Sequence, residues 1–323
     1  MSVYRLIFAP TVKVPEYKRE TDRYDECRDE IFEKFIEHGF LGTGWDTSCL
    51  KPSMSDEDIR SALDLPKGSI ENFRCMCSIS KDDLIWLMHK SKYYLFKVSE
   101  NKIGTYWLRE TFGEQTQWFI DRDITTCFVG EWCEVGNEIS VPGVVVNCMG
   151  IGKTLRVIKK APELSMMIWN RFTNTDYYTL GSVTEEWFWD MLTNRQKEGL
   201  VLTYLQVKYD CIVNTESLKH STALYECELI AKDGTRYLPQ VKTGASGNKE
   251  FSVEQYCKDV ESVGKQIGHD VIPVLFYENE DYGDYEDYKL LKLYRKDLMA
   301  FIQEHPQYVS TDVIDSYKAI ESK

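Results

Sequence analysis

The sequence is poor in histidine, with five in 323 residues, and its ten cysteines never form a C-x-x-C pair. A zinc centre needs four spaced ligands. Cys75 and Cys77 flank one residue, but no second pair is spaced to match them, so they read as ordinary strand residues. Cysteines scattered singly through apolar runs suit a reduced, cytoplasmic chain. No run approaches the roughly 18 to 20 apolar residues that span a bilayer, and MSVYRLIFAPTVKV lacks a small-residue cleavage site, so it reads as a first strand rather than a signal peptide. Basic excess is also missing: 39 Lys and Arg stand against 52 Asp and Glu, a net charge of −13. That excludes a polybasic coat held to nucleic acid by many phosphates. It does not exclude a nuclease, whose metal site is itself built from carboxylates.

What is present is apolar and aromatic. At 43% hydrophobic and 13% aromatic residues, the chain buries enough surface to offset the entropy of ordering. Its length suits two domains. Residues 1–160 carry mostly strand signals, among them Asp83–Met88, Tyr93–Val98 and Val141–Val146, with helices over Tyr24–His38 and Ser55–Leu63. Residues 161–181 have weak periodicity and polar breakers and read as a linker. From 182 to 323 the pattern becomes α/β: possible capping boxes at Ser182/Glu185 and Thr193/Gln196, β-rich residues 211–242, a helix over Val253–Ile267, strands near Val271–Tyr277 and Tyr288–Leu293, and a helix from about Lys296. Charge follows the same division, with net −4 over residues 1–180 and −9 over the rest. Much of the acidity lies in Glu278–Asp287, which reads as a solvated loop.

The segment 222–244 holds the chemistry. Two alternating runs flank Lys232-Asp233-Gly234, and a three-residue loop ending in Gly is a common hairpin connection. That loop pairs Ala231 with Thr235 and sets Glu226 opposite Gln240, with Glu228 and Lys242 on the same side. A two-residue Asp-Gly turn would pair Glu226 with Val241 instead. In the preceding helix, the stripe Met191, Asn194, Glu198, Val201 or Leu202 and Leu205 turns Glu198 inward, which is costly for a carboxylate unless it is paired or binds a metal.

This ordered set resembles the PD-(D/E)XK nuclease superfamily over about residues 182–305. The leading helix carries Glu198, the first hairpin strand carries Glu226, and Gln240-Val241-Lys242 matches the (D/E/Q)-x-K tripeptide. Glu226 stands where Asp is usual, and Gln240 replaces the commoner acid. The resemblance implies a restriction-endonuclease-like α/β domain in which Glu226, Glu198, Gln240 and the Val241 carbonyl hold Mg²⁺ or Mn²⁺, while Lys242 positions water and stabilises developing charge.

The first half resembles the EVE branch of the PUA-like superfamily, through Gly42-Thr43-Gly44-Trp45, Lys81–Trp86, Tyr93–Val98 and Val141–Asn147. This implies a β barrel with inserted helices that reads a modified or flipped base, with Gly44, Trp45, Trp86 and Tyr94 near its pocket. For each aromatic the competing role is core. Gly150-Ile151-Gly152-Lys153-Thr154 is not a P-loop, because Asn147 stands where that pattern requires Gly. The whole chain therefore reads as a two-domain α+β or α/β protein, a modification-dependent restriction or defence endonuclease acting on base-modified DNA without a membrane. Cutting two strands implies a homodimer. The alternative is a noncatalytic DNA- or RNA-binding protein with a degenerate nuclease fold.

Overall fold

The computed structural model describes residues 1–10, 13–17, 23–44, 54–63, 70–102, 105–149, 154–182, 184–217, 224–243, 251–278, 282 and 288–321. The chain divides into two compact units, Met1–Val183 and Thr184–Lys323. Each contains helices and its own sheet, so the protein is mixed α/β. Among the described residues no helix is long and apolar enough to cross a membrane.

The first unit contains β1 (Val3–Leu6), α1 (Tyr24–Glu37), β2 (Phe40–Thr43), α2 (Asp56–Leu63), α3 (Ile70–Ser78), β3 (Leu84–His89) and β4 (Lys92–Lys102). After these come α4 (Tyr106–Phe112), α5 (Thr116–Ile120), β5 (Thr126–Gly136), α6 (Gly143–Met149), β6 (Leu155–Val157) and α7 (Pro162–Thr173). The sheet order is β2-β5-β4-β3-β1-β6. Only β1–β3 is parallel; the other neighbours are antiparallel. The described residues do not pair β2 with β6, so these strands are the edges of an open sheet.

The β3–β4 turn is set by Lys90 and Ser91, whose φ values of 48° and 60° are left-handed. Two such residues give the turn twist that matches a tight hairpin. Helix α1 lays Cys27, Ile31, Phe32 and Phe35 on the sheet at helical spacing. Ser55 caps α2 by accepting the Asp58 N–H at 3.2 Å.

Three sequence readings change here. Val141–Val146, read as a strand from its β-branched run, enters α6, because Pro142 starts a turn in which the Val145 and Val146 N–H groups donate to its carbonyl. Cys75 and Cys77 lie on α3 and not on a strand. Residues 161–181 hold α7, whose Leu164, Ile168 and Trp169 are buried, within the first unit.

The second unit contains α8 (Glu185–Met191), α9 (Asn194–Tyr209), β7 (Cys211–Val213), β8 (Leu229–Ala231), β9 (Arg236–Lys242) and α10 (Val253–Ile267). It continues with β10 (Val271–Tyr277), β11 (Leu291–Leu293), α11 (Arg295–Glu304) and α12 (Thr311–Glu321). The sheet order β11-β10-β9-β8-β7 puts β9 at the centre. Strands β9, β10 and β11 are parallel, whereas β7, β8 and β9 are antiparallel. Alternation divides the core into two layers. Tyr237, Val241, Val274 and Phe276 pack with residues of α8, α9, α11 and α12, whereas Leu238 and Leu275 pack with Val253, Tyr256 and Val260 of α10.

The Thr193/Gln196 capping box forms: Thr193 Oγ1 accepts the Gln196 N–H at 3.2 Å and Gln196 Oε1 accepts the Thr193 N–H at 2.8 Å. The Ser182/Glu185 box does not. Thr184 is the residue before α8, without a side-chain cap bond.

Candidate active site

The hairpin register decides which groups meet. Ile230 pairs with Arg236, Leu229 with Tyr237, and the Ala231 N–H donates to the Thr235 carbonyl at 2.9 Å. The loop is therefore the three-residue form, with Gly234 at φ 87° supplying the left-handed residue. Beyond those pairs the ladder stops, and the Glu226 N–H donates to the Pro239 carbonyl at 2.8 Å, one residue out of the expected register, so Gln240 reaches Glu226 through its side chain and not as its strand partner.

Pro239 matters because it stands in the central strand without an N–H. The β8–β9 ladder ends at the Leu229–Tyr237 pair, just before it. The next donor on that edge, the Val241 N–H, points to Glu226 Oε1 at 3.5 Å instead of to backbone. Gln240 Nε2 donates to the same oxygen at 2.6 Å. Glu226 is thus held over Gln240 by its own main chain and by the Gln240 amide.

Gln240 is 4% exposed and its Oε1 has no hydrogen-bond partner among the described residues. A buried amide oxygen without a donor is costly and calls for a ligand. Burial pushes the Glu226 carboxyl above its ordinary range, opposed by the Val241 N–H and by the charge of Lys242. Burial likewise raises Glu198, and the negative charge of Glu226 raises it further. The two carboxylates therefore feel each other, and a cation between them would relieve both. The Lys242 ammonium is seated over the Phe251 ring, 4.8 Å from its centroid.

All four sequence-singled residues, Glu198, Glu226, Gln240 and Lys242, gather at the carboxyl end of β9. Glu228 does not join them, and pairs with Asn214 and Arg236. No group of three or more His, Cys, Asp or Glu that could hold a metal occurs among the described residues. The donor set is two carboxylates plus an unpartnered amide oxygen. These hard oxygens suit Mg²⁺, which takes one or two carboxylates and keeps several waters.

Two neighbours escaped the sequence reading. Lys197, beside Glu198, donates to Glu278 Oε1 at 2.6 Å, and both side chains are 4% exposed. Glu278 also donates its N–H to the Lys242 carbonyl at 3.0 Å, so it ties α9 to the end of β9. Its place at the head of an acidic run hid it. The first residue of the supposed solvated loop is buried, as is Tyr282, and the rest, apart from these two, lies outside the described residues.

In the first unit, Gly44 borders a cavity of about 180 Å³. Trp45 lies outside the described residues. Trp86 is fully buried and donates Nε1–H to Ser165 Oγ at 2.9 Å. Tyr94 is also buried, edge-on to Phe32 with ring centroids 4.8 Å apart. Neither lines the cavity at Gly44. No family model, curated protein or solved structure matches the chain.

Proposed function

We propose that the protein is a metal-dependent endonuclease of the PD-(D/E)XK kind, acting in the cytoplasm on base-modified DNA as a homodimer, with a base-reading PUA-like first unit. The observation that carries this reading is the Glu226–Gln240 pair, which leaves a buried amide oxygen unpartnered, with a second carboxylate, Glu198, feeling the charge of Glu226. Glu226, Glu198, Gln240 and the Val241 carbonyl would hold Mg²⁺ or Mn²⁺. Bound there, the ion would neutralise scissile-phosphate charge and acidify the attacking water.

The chain supplies the rest. Gln240 and the Val241 N–H fix the Glu226 carboxylate, so its orientation is set before substrate arrives. Lys242 brings a positive charge near Glu226, where it stabilises an anionic transition state and orients the nucleophile. Ground-state ion binding and transition-state charge are thereby served by different residues.

The test is incubation with Mg²⁺ or Mn²⁺ and plain, methylated, hydroxymethylated and glucosylated duplexes. Cleavage confined to one modified class, lost in Lys242→Ala, is expected; equal cleavage by wild type and Lys242→Ala refutes the site. The amide at Gln240, where a carboxylate is commoner, favours a second reading as a noncatalytic binder, and tight binding without cleavage would establish it.

A further inference from the structure

The backbone of Lys242 is fixed. It pairs with Tyr277 of β10, and its carbonyl accepts the Glu278 N–H at 3.0 Å. Its ammonium, however, hangs on a flexible four-carbon stem, and lysine side chains are among the costliest to immobilise. Among the described residues the ammonium makes no ion pair and no hydrogen bond. What holds it is the face of the Phe251 ring, whose centroid lies 4.8 Å away.

Phe251 is itself anchored. It stands just before the cap of α10, where Ser252 Oγ accepts the Gln255 N–H at 3.2 Å. An apolar residue at that place packs against one a turn into the helix and so sets the angle at which the chain enters. Here the partner is Tyr256, with ring centroids 5.8 Å apart. Tyr256 is buried, and its hydroxyl accepts the Val274 N–H at 3.1 Å and donates toward the Leu238 carbonyl, which joins it to β10 and β9. The ring under the ammonium is therefore carried by the same sheet that carries Lys242.

The kind of contact matters. A carboxylate partner would occupy the N–H donors of the ammonium and cancel its charge. A ring face attracts the cation through its quadrupole and leaves both charge and donors available. Glu226 feels that charge, which opposes the effect of burial on its carboxyl, without an ion pair between the two.

We propose that Phe251 is a positioning residue for phosphodiester cleavage: its ring holds the Lys242 ammonium near Glu226 with its donors free for a phosphate oxygen and the attacking water. The assignment rests on the nuclease reading and adds to it a residue outside the Gln240-Val241-Lys242 tripeptide. Phe251 acts through Lys242 alone.

The experiment measures cleavage kinetics of the full chain with Mg²⁺ and the duplex it cuts. It compares wild type, Phe251→Leu, Phe251→Tyr and chains carrying ring-fluorinated phenylalanine at position 251. Leucine keeps apolar bulk without a ring, tyrosine keeps the ring face, and fluorine drains electron density from that face with little change of shape. Phe251→Leu is expected to lower kcat about threefold to thirtyfold with KM unchanged, because Lys242 acts on transition-state charge, and Phe251→Tyr to stay within about twofold of wild type. Successive ring fluorines should lower kcat stepwise with the circular dichroism melting curve unchanged. If Phe251→Leu unfolds the chain, the fluorine series decides alone. A flat fluorine series, whatever Phe251→Leu does, marks Phe251 as packing only and overturns its role while the nuclease stands. No cleavage of any plain or modified duplex by the wild type overturns the nuclease reading and this assignment with it.

Discussion

Replacing Glu278 with Leu tests how the second unit is held together beside its candidate site. Lys197 and Glu278 are 2.6 Å apart and 4% exposed, so neither charge is shared with solvent. Removing one member of such a pair leaves an uncompensated charge in a dry place, which costs about 3–5 kcal/mol. The two members are not equivalent. Arg295 Nη2 lies 3.7 Å from the same Glu278 oxygen, whereas Lys197 has no second carboxylate in a salt bridge among the described residues. Glu278→Leu should therefore fall at the upper end of that range and Lys197→Met at the lower. For a unit of this size the upper end corresponds to a fall of about 10 °C or more in the unfolding midpoint. The double substitution Lys197→Met/Glu278→Leu should recover much of the loss, since hydrophobic replacement of a buried pair is often neutral. Urea and thermal unfolding of the full chain, arranged as a double-mutant cycle, measure all three. A Glu278→Leu protein within about 1 kcal/mol of wild type would refute the reasoning.

Two further outcomes follow from the same geometry. Glu198 and Glu226 are both raised by burial, Glu198 also by Glu226, so folding favours their protonated forms; the stability they contribute is complete below the ordinary glutamate range and is lost as pH rises through their raised folded values. Glu198→Gln should therefore stabilise the protein at neutral and higher pH, with the gain vanishing in acid, as read from unfolding midpoints across pH; a gain that grows toward acid contradicts the sign. Gly234 sits at φ 87° with nothing within 4 Å of an added Cβ, so Gly234→Ala should cost about 1–2 kcal/mol through backbone strain alone. A neutral result in urea unfolding would show that the turn relaxes.

The sequence disclosed the hairpin site because its signals were local. A Lys-Asp-Gly loop fixes the pairing of Leu229–Ile230 with Arg236–Tyr237, which carries Glu226 to the neighbourhood of Gln240, and the Gln240 amide completes the contact. Helix α10 was equally plain, and its bounds, Val253–Ile267, are those expected. Local signals failed where tertiary context decided. The run Val141–Val146 has strand propensity, yet it starts a helix at Pro142. Trp86 and Tyr94 carry the residue types of a base pocket but face the core. Lys197 and Glu278 lie 81 residues apart, and no local signal in the sequence links them.

The position of β1 has a consequence for how the chain comes off the ribosome. The first strand of its sheet, Val3–Leu6, is flanked by β3 on one side and β6 on the other. Neither neighbour exists when β1 emerges, and the second, at Leu155–Val157, is the last strand of its sheet to be synthesised. At synthesis rates of about 5–20 residues per second, the N-terminal strand waits on the order of ten seconds with one or both edges unpaired. Nascent chains stopped before Leu155 should aggregate through this strand, whereas chains a few tens of residues longer should not.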